Sequence, residues 1–188
     1  SPKSTPARYS AAMAIEDAAV AEMSPGQRYM VLATVSSATM LYAMTLTIAN
    51  VVLPQMRGAF SASPEEIAWV VTFNLVATAV VTPISGWLAN RFGRRKVMLV
   101  SALGFTIATI FCGLAESLEA IVLYRIAQGA FGAPLVPIAQ STLLDTFPRA
   151  QHGLVTALFG FGVVLGPIIG PTVGGAVAEA QNWRWAFF

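Results

Sequence analysis

Three stretches of this sequence hold residues whose types and spacing could do chemistry. The first is Leu123-Tyr-Arg-Ile-Ala-Gln-Gly-Ala-Phe-Gly-Ala-Pro134, where Arg125 is the only charge clearly placed within an apolar run. A guanidinium near the centre of a membrane helix costs about 2.5–3.5 kcal/mol on insertion scales. Nearer a helix end the cost is smaller, because the side chain can reach the headgroups. At 3.6 residues per turn, Arg125, Gln128, Gly129, Gly132, Val136 and Gln140 share one broad face. A polar, glycine-rich stripe of this kind should point into a helix bundle or a wet cavity, since lipid cannot satisfy it. The plainer reading is an interfacial Arg with glycines that serve packing.

The second stretch, Gly86-Trp-Leu-Ala-Asn-Arg-Phe-Gly-Arg-Arg-Lys96, sets Arg91, Arg94, Arg95 and Lys96 between two apolar runs. Gly93 suits a tight turn because it takes left-handed backbone conformations at little cost. The cluster reads either as an anchor on lipid phosphates or as a latch whose arginines meet carboxylates or helix C-termini in one conformational state. The third stretch spans Gly160 to Gly175, with Gly162, Gly166, Gly170 and Gly174 at every fourth position. That repeat makes a bare face for close approach of a neighbouring helix. Pro167 and Pro171 each remove a helical hydrogen bond and bend the segment.

Weaker signals accompany these. Asn74, Thr78 and Ser85, with Thr82 at the flank, form a polar stripe that suits either cavity lining or helix–helix hydrogen bonding. His152 has no clustered ligand partners and reads as a solvated loop residue, so no metal site or cofactor is expected. Cys112 is alone and lies in an apolar run. No serine nucleophile elbow, phosphate-binding loop with lysine or paired intramembrane carboxylates is present, so an enzyme is not expected.

The elements that position these residues follow from composition. Of 188 residues 56% are hydrophobic and 11% charged, with mean hydropathy +0.67; soluble domains carry about 25% charged residues. Net charge is only +2, without the basic stripe a nucleic-acid binder needs. Five continuous apolar segments fall near 29–54, 67–89, 97–115, 119–144 and 153–178. Each approaches the about 20 residues that cross a bilayer as a helix. Continuous rather than alternating apolar runs favour helices over barrel strands. Short links predict that sequence neighbours pack antiparallel. Residues 1–28 read as a cytoplasmic tail, with a short helix near Ala11–Met23. Trp183-Arg-Trp-Ala-Phe-Phe188 reads as the start of a sixth span in a chain that looks cut. With the N-terminus inside, eight basic residues face the cytoplasm: Lys3, Arg8, Arg28, Arg91, Arg94, Arg95, Lys96 and Arg149. Only Arg57 and Arg184 fall opposite, which is the positive-inside bias.

The Gly86–Lys96 run resembles the signature between helices two and three of the major facilitator superfamily, with Asn90 where the family carries Asp. Arg125-x-x-Gln-Gly-x-x-Gly-Ala resembles the family's helix-four motif, whose Arg is associated with proton coupling. That role is carried to Arg125, with Gln128 in support. The Gly-Pro repeat around Gly162, Gly166, Pro167, Gly170, Pro171 and Gly174 resembles the helix-five signature of the antiporter branches. It implies export rather than uptake. Thr45-Leu-Thr-Ile-Ala-Asn-Val-Val-Leu-Pro54 is similar to a run of the EmrB/QacA-type, fourteen-helix drug:proton antiporters. Aligned on Asn50 and Pro54, Thr45 stands where these often carry Asp. Trp69-Val-Val-Thr-Phe-Asn-Leu-Val-Ala and Trp183-Arg-Trp are typical of the same branch.

The resemblance implies an all-α membrane fold: the N-terminal helical bundle of a major facilitator, five spans plus the start of a sixth, in the inner membrane. It implies alternating access around a midplane cavity, with Arg125, Gln128, Asn74, Thr78, Thr45 and Asn50 as coupling or lining residues. The implied activity is export of amphipathic, often cationic drugs in exchange for protons. Some relatives work with a periplasmic adaptor and an outer-membrane channel, so both are partner candidates. Two rival readings stand beside export: an uptake carrier for a small metabolite, and a non-transporting scaffold or sensor derived from a carrier.

Overall fold

The computed structural model describes residues 24–188, all helix and short connections, with no strand among the described residues. The chain runs α1 (Pro25–Phe60), α2 (Pro64–Phe92), α3 (Arg94–Gly113), α4 (Leu118–Gly132), α5 (Leu135–Thr146) and α6 (His152–Ala180). Short 3-10 segments occupy Arg149–Gln151 and Trp183–Phe187. Residues 1–23 of the expected tail, with the short helix near Ala11–Met23, lie outside the described residues, while residues 25–28 belong to α1.

Local signals explain why the helices outrun the apolar runs. At both Ser24 and Ser63 the hydroxyl accepts from the backbone N–H three residues on, while Gln27 or Glu66 accepts from the cap's own N–H. Pro25 and Pro64 follow, where the missing donor is harmless. Thus α1 starts before residue 29 and runs six residues past Pro54, and only Ser61 to Ser63 separate it from α2. At the other end of α2 the turn is a single residue. Gly93 has φ 88° and ψ 135°, a positive-φ conformation outside the left-handed helical region. The basic cluster therefore sits on two helix ends and not in a loop.

The fourth span, 29 residues from Leu118 to Thr146, divides at Ala133–Pro134 into α4 and α5. Pro134 and Pro137 lack N–H groups, so the carbonyls of Ala130 and Ala133 have no donor four residues on. The apolar run over 119–144 predicts a single helical span, and the break is not visible in it. By contrast α6 continues through Pro167 and Pro171 as one 29-residue helix.

Packing follows glycine faces more than chain order. The most extensive contacts join α1 to α6, α2 to α4 and α3 to α4, and α1 meets its neighbour α2 much less. A Cβ at Gly166 would lie 2.7 Å from the Met40 carbonyl oxygen, one at Gly170 2.6 Å from Thr47 Oγ1, and one at Gly174 2.9 Å from Ile48. At Gly162 the nearest atom is 3.7 Å away, so three of the four glycines are needed for the approach. Outward faces keep large apolar side chains exposed, among them Val80, Leu99, Leu103, Phe161 and Ile168. Apolar surface on this scale calls for lipid rather than water, and among the described residues five helical spans are long and apolar enough to cross a bilayer. One end of the bundle collects Arg28, Arg91, Arg94, Arg95, Lys96 and Arg149, and the other Glu65, Glu66, Glu116, Glu119 and Glu179.

The acidic end is closed by the 3-10 helix at Trp183–Phe187. Trp183 and Phe187 are buried with Val52, Met56, Ile67, Val70 and Ile121. The Arg184 guanidinium donates to the carbonyls of Gly113 and Ala115 at the end of α3 and lies 4.7 Å from the Trp183 ring.

Candidate functional site

The α2–α4 contact fixes the site. Gly129 lets the two backbones touch, for a Cβ there would stand 2.4 Å from the Asn74 carbonyl oxygen. Asn74 is buried, and its Nδ2 donates to the Arg125 carbonyl at 2.8 Å. Thr78 Oγ1 donates to the Asn74 carbonyl at 2.9 Å and to the Gly129 carbonyl at 3.3 Å. Of the two readings open for this stripe, the structure gives Asn74 and Thr78 helix–helix hydrogen bonds. Ser85 is buried on local carbonyls, and Thr82 is exposed.

Held this way, Arg125 is 1% exposed, inside the bundle rather than reaching for headgroups. Its Nη1 donates to Gln128 Oε1 at 2.7 Å, and Gln128 Nε2 donates to Thr109 Oγ1 of α3, also at 2.7 Å. The Phe187 ring covers the guanidinium, with its centroid 4.9 Å from Cζ. Nε and Nη2 are buried without an acceptor. No Asp or Glu among the described residues is buried, so this cation lacks the counter-ion that normally offsets the cost of desolvation. Gly129 and Gly132 are buried on the same face, whereas Gln140, beyond the break at Pro134, is exposed.

Thr109 joins this chain of hydrogen bonds to a cavity of about 610 Å³ between α1, α3, α6 and the terminal 3-10 helix. Its walls include Thr45, Met44, Phe105, Thr106, Thr109 and Phe187. Thr45 therefore faces the cavity, although its hydroxyl is engaged with the Leu41 carbonyl. Asn50 is exposed and bonds only within α1, to Leu46, so it is not brought to the site. Thr109 was missed because a threonine in an apolar span carries no signal until its partner is known. Phe187, read from sequence as interfacial, is buried as the lid over Arg125.

At the basic end Arg94 pairs with Asp145, in the last turn of α5. Gly86, Asn90, Arg91, Arg95 and Lys96 are exposed around it. Asp145 was overlooked, yet it is the only acid among the described residues at this end. His152 departs from the solvated loop expected of it: it is half-buried at the start of α6, and its Nε2 donates to the Phe147 carbonyl at 2.8 Å. The two residues flank the turn at Pro148, and that hydrogen bond closes it. Among the described residues no His, Cys, Asp and Glu cluster could hold a metal ion.

Comparison with known proteins bears on the family and the fold. The sequence profile of the Major Facilitator Superfamily matches residues 35–188. The multidrug export protein EmrB of Haemophilus influenzae is 40% identical over 153 residues, which is 81% of this chain and 30% of that protein. The fatty acid resistance protein FarB of Neisseria gonorrhoeae is 39% identical over 151 residues, 80% of this chain and 30% of that protein. The chain thus spans about a third of the length of the curated relatives it matches. Among solved structures, an inward-facing bacterial homologue of the human lysosomal transporter Spinster superposes with TM-score 0.74 at 24% identity. That match covers 88% of this chain and 37% of the other. A D-xylose–proton symporter does so at the same TM-score and 16% identity, over 85% of this chain and 44% of its own. Profile, relatives and fold agree: this chain belongs to the Major Facilitator Superfamily.

Proposed function

We propose that the chain works as the N-terminal bundle, residues 29–188, of a secondary transporter that exports amphipathic compounds in exchange for protons by alternating access. The reading is supported by its similarity to proteins named for multidrug export and fatty acid resistance and by the glycine face of α6, which seats α1 at backbone distance. The observation that carries it is Arg125, a buried cation with two donor groups unmatched, linked through Gln128 and Thr109 to a cavity of about 610 Å³. A charge held in this way costs several kcal/mol unless an anion meets it in part of a cycle. A carboxylate that exchanges a proton, or an anionic substrate group, fits that requirement.

The basic end is assigned to the cytoplasm by the positive-inside bias, with the protein in the inner membrane and its N-terminus inside. There Arg94 and Asp145 act as a latch across α3 and α5 that is closed in this state. A periplasmic adaptor and an outer-membrane channel are assigned as partners on the strength of the sequence resemblance. A second reading of the substrate, an amphipathic anion, is favoured by the missing counter-ion at Arg125. The test is transport in inverted vesicles of the intact transporter carrying Arg125→Ala or Arg125→Lys. Substrate-driven proton movement is followed with a lipophilic cation and with a fatty acid as alternative substrates. Both substitutions should abolish transport while membrane insertion is kept. Unchanged efflux in Arg125→Ala removes this residue from the mechanism.

A further inference from the structure

A second cavity, of about 440 Å³, opens on the outer surface of the bundle at its basic end, apart from the Arg125 site. Val81, Leu88 and Phe92 of α2, Val97 and Val100 of α3, and Phe131 beside Pro134 give it apolar walls. Lys96 alone brings a charge to it. The break after α4 shapes its floor. Phe131 folds across Gly104, where an added Cβ would sit 2.4 Å from the ring.

We infer that this groove binds one anionic glycerophospholipid, with an acyl chain along α2 and the phosphate on Lys96. Three observations select that occupant. From Val81 to Phe92 α2 advances eleven residues, about 16 Å at 1.5 Å per residue. That is close to half the hydrocarbon core of about 30 Å, so the groove has the length of a single leaflet. Its polar end faces the basic cluster, where Arg94 is spent on Asp145 while Arg91, Arg95 and Lys96 are exposed and make no ion pair among the described residues. Basic residues clustered at a membrane surface draw anionic headgroups, each contributing about fivefold in affinity. Finally, the walls offer almost nothing for a polar ligand to bond. Ser101, buried at 3% exposure, is the one hydroxyl among them. A free anion or a polar solute would find one cation and one hydroxyl, whereas a lipid fills the groove with its chain.

The experiment is native mass spectrometry of the purified protein released from nanodiscs of equimolar phosphatidylglycerol and phosphatidylcholine with matched chains. The expected result is one retained phosphatidylglycerol per protein. Retention should fall about fivefold in Lys96→Gln and be lost in Ala130→Phe, which fills the groove. It should be unchanged in Arg57→Gln at the opposite end, and unchanged when excess inorganic phosphate is added. Helical content by circular dichroism is measured for each variant. If Ala130→Phe proves misfolded, Val100→Phe on the opposite wall takes its place. Equal retention of the two lipids, full retention in Lys96→Gln, or displacement by phosphate alone would overturn the assignment.

Discussion

Replacing Gly129 with alanine tests the contact on which the site stands. The new methyl carbon would lie 2.4 Å from the Asn74 carbonyl oxygen and 3.1 Å from Thr78 Oγ1, against an ordinary contact of at least 3.4 Å. The first obstacle is backbone, so α2 and α4 must part by about 1 Å, an overpacking that costs about 1–3 kcal/mol. The Asn74–Arg125 bond, now 2.8 Å, would stretch beyond hydrogen-bonding range, a loss of about 0.6 kcal/mol between membrane helices. Against this, alanine is favoured over glycine in a helix by about 1 kcal/mol. The net is a destabilisation of about 1.5 kcal/mol, or about 3–6 °C in melting midpoint for a chain of this size. Gly160→Ala is the control, because no atom lies within 4 Å of its added carbon. It keeps only the propensity gain, so its midpoint should rise by about 2–4 °C. The assay is thermal unfolding in detergent followed by a thiol-reactive dye on Cys112, which is the only cysteine and has 0% exposure. A Gly129→Ala protein melting at or above the parent, or a Gly160→Ala protein falling equally, would refute the packing argument.

Three further outcomes are expected. Asp145→Asn and Arg94→Gln should each weaken the basic end, and the double variant should show a coupling of about 0.2–1 kcal/mol in denaturation, as for other exposed ion pairs; strictly additive effects would deny the pair. Gly93→Ala should cost about 1–3 kcal/mol through its positive φ, read as a lower unfolding midpoint, and an unchanged midpoint would show that the turn can relax. Cys112 should resist maleimide in the folded state and react fully in denaturing detergent, and rapid labelling without denaturant would contradict its burial.

Much of the fold was legible because hydropathy reports the solvent directly: continuous apolar runs gave the spans, and Arg and Lys positions gave the two ends. The glycine repeat of α6 announced a close helix contact, and the structure supplies one with α1. Pairing order was less visible. Loop length suggested neighbours in sequence, but small residues at Gly129, Gly166 and Gly170 decide which backbones touch. Helix ends were misjudged where capping extends a helix past its apolar part, as at Ser63 and Gly93. At the site, Arg125 and Gln128 stood out by type and spacing. Thr109, Phe187 and Asp145 did not, because each acts through a partner on another helix.

The Arg184 contacts bear on how the chain is made. The carbonyls of Gly113 and Ala115 wait for a guanidinium that leaves the ribosome 71 and 69 residues later. Until then α3 has an unfinished terminus, and the seat for Trp183 lies open. The contacts of the acidic end therefore cannot all form before Arg184 has emerged. Ribosome stalling before residue 183 should leave Cys112 reactive, and stalling well beyond residue 188 should protect it.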